Sequence, residues 1–112
     1  MQAKKLRESR RPEDILRGKI IDFLRTREWH VIIMHGNEFQ KGVPDLLCCH
    51  HRYGIRLVEV KVLSNYHFTP AQLKTFPQLV AHGAGVWIMT DATEEEYSVL
   101  FRACNWAFYL KF

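Results

Sequence analysis

No apolar run in this chain approaches the length that crosses a bilayer, and the charged start MQAKKLRESRR lacks the apolar segment of an export signal. Neither insertion nor secretion is therefore expected. Cysteine is scarce: Cys48, Cys49 and Cys104 make an odd number. Two of them are adjacent, so on a strand they face opposite ways and suggest no disulfide framework. A reducing cytoplasm is the expected compartment. The chain also has no internal repeat and no linker that would divide it. What remains is 112 residues, 47% of them hydrophobic, enough for one ordered core over residues 12–112. A net charge of +4 fits a partner with a phosphate backbone, and equally fits an ordinary basic soluble protein.

The most informative stretch is Gly42 to Lys61, GVPDLLCCHHRYGIRLVEVK. Two strand-like runs joined at Arg52-Tyr53-Gly54 predict a β-hairpin with Asp45 opening one strand and Glu59 and Lys61 on the other. Alternation puts Glu59 and Lys61 on one face and Val58, Val60 and Val62 on the opposite one. A three-residue loop ending in Gly54 sets Asp45 opposite Lys61 and Leu47 opposite Glu59. Two carboxylates among hydrophobic strands need cationic compensation, and a lysine with a divalent metal supplies it.

Around this hairpin the chain reads in order. Residues 1–11 carry Lys4, Lys5, Arg7, Arg10 and Arg11, either as a solvated arm or as one that follows a nucleic-acid backbone. A helix is predicted from Pro12 to about Arg27, with Leu16, Ile20, Phe23 and Leu24 as its apolar stripe. Glu13 shares that inward face, whereas Asp14 falls beside Arg17, so Glu13 is preferred as a site residue. Trp29 to Met34 reads as a short buried strand, and His35-Gly36-Asn37 starts a loop leading to Glu38, Gln40 and Lys41. Cys48-Cys49-His50-His51 invites a zinc reading, but alternation on a strand separates these ligands, and structural zinc is discounted.

Thr69-Pro70-Ala71-Gln72 is a capping box opening a second helix, which Pro77 is expected to interrupt, with a separate turn at residues 79–82. Val86 to Thr90 is a further strand. Thr93-Glu94-Glu95-Glu96 opens a third helix with Tyr97, Leu100, Phe101 and Cys104 as its stripe. Asn105 to Phe112 alternates aromatic and other residues as a strand would, a pattern that needs a cover and suggests a subunit interface or an intramolecular edge.

Gly-Val-Pro-Asp followed by Glu-Val-Lys resembles the signature of the PD-(D/E)xK nucleases, and with Gln72 beyond it is similar to the VRR-NUC branch, related in fold to Holliday-junction resolvases. Glu13 resembles the first-helix glutamate of that family. The likeness runs from about Glu13 to Asp91. It implies an α/β fold, a restriction-endonuclease-like core in which a mixed β-sheet is flanked by helices. It also implies a metal-dependent DNA endonuclease acting on branched or junction DNA, working as a homodimer. Asp45 and Glu59 would bind Mg²⁺ or Mn²⁺, with the Val60 carbonyl and Glu13 completing the shell. Lys61 would orient or deprotonate the attacking water, or stabilise phosphorane charge, and Gln72 would hold the water or a phosphate. For nucleic-acid contacts the candidates are Arg10, Arg11, Lys41, Tyr66 and His67. Two other classes remain open: an inactive nucleic-acid-binding module of the same fold, and an interaction subunit using the aromatic C-terminus.

Overall fold

The computed structural model describes residues 11–34 and 41–111. Residues 1–10, 35–40 and Phe112 lie outside the described residues, and with them the expectations for the basic N-terminus, Arg10, the loop start at His35-Gly36-Asn37, Glu38 and Gln40. Helix α1, Pro12–Arg25, starts on proline, whose missing N–H costs nothing in a first turn, and buries Ile20, Ile21 and Leu24. It ends slightly earlier than expected. Thr26 Oγ1 donates back to the Phe23 carbonyl, and Glu28 takes a left-handed backbone with φ of 69°, turning the chain into a strand.

The sheet has four strands in the order β1 (His30–Ile33), β2 (Leu46–His50), β3 (Gly54–Val60) and β4 (Val86–Met89). The first three are antiparallel, and β4 runs parallel to β3 after a crossover through helix α2, Pro70–Ala81. In the hairpin, Leu46 pairs with Val58, Leu47 with Leu57 and His50 with Gly54. Leu47 is thus not opposite Glu59, and this register does not set Asp45 opposite Lys61, as the sequence suggested. The loop is displaced by one residue, to residues 51–53: the Arg52 amide donates to His50 Nδ1, closing the turn early, and Gly54 spends its φ of +85° at the first paired position. Moving the loop by one residue on both strands shifts the register by two. A shift of two preserves which face each side chain occupies, so the charged residues still converge.

One face of the sheet holds Leu46, Cys48, Val58, Val60 and Met89 against Ile20 and Leu24 of α1, with Trp29 and Leu100 completing the core. The start of α2 lies against the opposite face, where its first turn meets Glu59. This helix runs through Pro77 as one element, correcting the predicted break. Leu73, whose carbonyl loses its donor to the proline, and Pro77 itself are both exposed, so the break falls on the solvent side of the helix.

Two further expectations fail near the C-terminus. The third helix, α3, is one turn, Glu94–Tyr97, and continues as a 3₁₀ turn over Ser98–Phe101. Glu96 is drawn back to accept from the Thr90 amide and hydroxyl, which ties the helix start to the end of β4. The aromatic tail is a 3₁₀ turn, Trp106–Tyr109, and no strand. Its indole packs edge-on to Phe68 and Phe76, while the Asn105 side chain accepts from the Ile88 amide (2.7 Å) and donates to the Ile88 carbonyl (3.2 Å). That side chain occupies the free edge of β4 where another strand would have sat. On the other margin, the Arg25 guanidinium donates to the Val31 carbonyl of β1. Among the described residues, no helix is long and apolar enough to cross a membrane.

Candidate metal centre

The site is built where the ends of β2 and β3 meet the first turns of both long helices. Gly42 allows the close approach: with φ of +85°, it lies so near α2 that a Cβ there would sit 2.5 Å from the Ala71 carbonyl oxygen. The chain then passes through buried Pro44 to Asp45. Asp45 and Glu59 pin one another through backbone amides: the Asp45 amide donates to Glu59 Oε1 at 3.1 Å, and the Val60 amide donates to Asp45 Oδ2 at 2.9 Å. Val60 thus enters the geometry through its N–H. From α1, Glu13 completes a group in which carboxylate oxygens of Glu13, Asp45 and Glu59 all lie within 4.8 Å of one another.

Lys61 and Gln72 flank this group. The Lys61 ammonium, almost wholly buried, donates to the His67 carbonyl (2.8 Å) and Gln72 Oε1 (3.1 Å) and lies 3.2 Å from Glu59 Oε2. The Gln72 amide donates to Glu59 Oε2 at 2.7 Å, while its carbonyl also accepts from the Thr69 amide. Gln72 therefore serves the capping box and the site at once. Burial, reinforced by the neighbouring Asp45, pushes the Glu59 carboxyl up to about 7 against the opposing pull of Lys61 and Gln72. Asp45 is raised as well, mainly by burial, with Glu13 adding to it and the Val60 amide, Arg17 and Lys61 opposing.

Such a centre fits a hard divalent cation. Three carboxylates offer oxygen donors only, the preference of Mg²⁺ and Mn²⁺, and too much negative charge for Lys61 to balance alone. By contrast, burial alternates along β2, with Cys48 and His50 on the inner face, and burial pushes the Cys48 thiol up to about 12. An inert thiol suits packing rather than ligation.

The carboxylates and Lys61 open into a cleft of about 280 Å³ that Arg11, Tyr66, His67 and Gln72 also line. Lys41 is exposed, and Arg10 lies outside the described residues. Asp14 turns away from the cluster: its carboxylate takes a 3.0 Å hydrogen bond from Arg17, which with Arg11 holds it below the usual carboxylate range. The sequence reading missed one residue, Arg17. Its side chain is only 12% exposed, and Nη2 lies 3.5 Å from Glu13 and 3.7 Å from Asp45. The i, i+3 and i, i+4 spacing from Asp14 and Glu13 was the available signal.

No family model matches the chain, and no curated protein matches it. A solved structure described as "VRR_NUC domain" does. The two superpose with a TM-score of 0.65 at 23% sequence identity, over 80% of this chain and 95% of that one. With its four-stranded mixed sheet flanked by helices, this chain has the fold of a VRR_NUC domain.

Proposed function

We propose that this chain is a VRR-NUC nuclease, a PD-(D/E)xK enzyme that hydrolyses phosphodiester bonds in DNA with Mg²⁺ or Mn²⁺. The observation that carries the reading is the convergence of Glu13, Asp45 and Glu59 beside a buried Lys61 at the floor of an open cleft. Glu13, Asp45 and Glu59 would hold the cation, with the Val60 carbonyl as a further donor. When bound, it would supply Lewis acidity toward the scissile phosphate. The protein's own groups do the rest. Three acceptors surround the Lys61 ammonium, and the Phe68 ring lies 4.7 Å away. With its hydrogens already committed to these acceptors, the amine is placed to stabilise charge on the phosphorane. Gln72 fixes both Glu59 and Lys61, and Arg11, Tyr66 and His67 line the cleft in which a nucleic acid would lie.

Branched or junction DNA as the preferred substrate, and a homodimer as the working form, rest on the likeness to VRR-NUC proteins. Loss of the aromatic C-terminal strand removes one argument for the dimer; Phe108, 87% exposed on that tail, still offers an apolar contact. The test is cleavage of labelled single-stranded, duplex, flap and four-way-junction DNA with Mg²⁺, Mn²⁺ or EDTA. Cleavage that requires metal and ranks branched above linear DNA supports the reading. A folded protein that binds these DNAs without cutting them would instead be an inactive binding module of the same fold.

A further inference from the structure

Arg17 is the one strongly buried cation near the carboxylates whose place in the mechanism is open. It does not line the cleft, so it meets the carboxylates from behind rather than from the substrate side. Its contacts are unequal. Nη1 donates to Asp14 at 3.0 Å, whereas Nη2 makes only a long hydrogen bond to Glu13 at 3.5 Å and stands off Asp45 at 3.7 Å, and buried Nε has no partner. A guanidinium placed for its hydrogen bonds to Glu13 and Asp45 would fork onto them at shorter range. This one is anchored on Asp14 and lends the other two its charge.

We infer that Arg17 is a positioning residue that acts as a fixed counter-ion to the metal centre, limiting the affinity of Glu13 and Asp45 for a divalent cation. The inference rests on the metal-dependent reading above. Its logic is electrostatic: a positive charge held on Asp14, 3.5 Å from Glu13 and 3.7 Å from Asp45, opposes a divalent cation between those carboxylates, and its removal lifts that opposition.

The test is calorimetric titration of MnCl₂ into the full chain, wild type against Arg17→Met, Arg17→Gln and Arg17→Lys, with circular dichroism and thermal unfolding in EDTA for each. The two neutral variants should bind Mn²⁺ about tenfold more tightly, the size of the repulsion between a single and a double charge several ångströms apart at high effective dielectric. They should do so although they unfold at lower temperature in EDTA. Arg17→Lys keeps the charge and should stay within about threefold of wild type despite losing the planar guanidinium. A merely structural arginine gives the reverse, since a loosened site binds metal less well. Unchanged or weaker binding in folded Arg17→Met overturns the inference, and Arg17→Gln decides the matter if the methionine variant does not fold. If wild type and all variants give no Mn²⁺ binding, the metal-dependent reading itself fails and the counter-ion role with it.

Discussion

Gln72 donates its side-chain amide to Glu59 Oε2 across 2.7 Å, and with the carbonyl of that same group it accepts from both the Thr69 amide and Lys61. Helix capping and site geometry are thus the work of one side chain, and two substitutions separate them. Gln72→Glu keeps an acceptor for the Thr69 amide but cannot donate to Glu59. It should leave the helix cap intact in far-ultraviolet circular dichroism and lower cleavage by about 10²-fold. Gln72→Ala should lose both, with a stability cost of about 1 kcal/mol in urea unfolding.

Lys61 should matter to turnover more than to binding. Lys61→Ala is expected to lower the single-turnover cleavage rate by at least about 10²-fold, the scale of removing one transition-state donor, with Mn²⁺ and DNA still bound. Asp45→Asn is expected to lose cleavage and metal binding together. Undiminished turnover in either purified variant would remove the assignment of these residues.

Stability should fall as pH rises through neutrality. Glu59 ionises near 7 in the fold, above the ordinary 4.5, so the folded state holds its proton more tightly than the unfolded one. This group's contribution is complete below about pH 4.5 and lost as pH rises through about 7. A divalent cation favours the ionised carboxylates. Thermal unfolding should therefore show Mn²⁺ raising the melting temperature more at about pH 8 than at about pH 5. An equal rise at both would dissociate metal binding from Glu59.

Gly42 is predicted to be intolerant of any side chain. In Gly42→Ala the new Cβ would meet the Ala71 carbonyl at 2.5 Å and the Thr75 hydroxyl at 2.7 Å, with a backbone held at φ of +85°. A loss on the order of 2 kcal/mol in chemical denaturation is expected, together with weaker Mn²⁺ binding as Asp45 shifts from Glu59. Gly54→Ala shares the positive φ but meets nothing within 4 Å, so it should destabilise less and leave metal binding alone.

The candidate site was legible from sequence where local periodicity governs it. Alternation put Glu59 and Lys61 on one face, and the helical spacing turned Glu13 inward and Asp14 aside. Thr-x-x-Gln located the helix start that brings Gln72 in. What local patterns could not supply were long-range competitions. The hairpin loop slipped by one residue because the buried His50 ring captures the Arg52 amide, a preference invisible in the turn residues alone. The tail reads as a strand by alternation, yet Asn105 reaches β4 with its side chain and the following backbone curls away. Arg17 was overlooked because an arginine beside two acids on a helix normally signals a solvated ion pair. Only the fold shows that Asp45 arrives on its other side.

Each outer strand of the sheet carries a visitor. Arg25 sits on a carbonyl of β1, and Asn105 satisfies both backbone groups of Ile88 on β4. An open strand edge is a template for polymerisation, and here an incoming strand would have to evict a seated side chain at either margin. Each outer strand thus has one outward position already taken by a side chain. Copies of this protein that associate should meet through helices or loops and leave the sheet unextended.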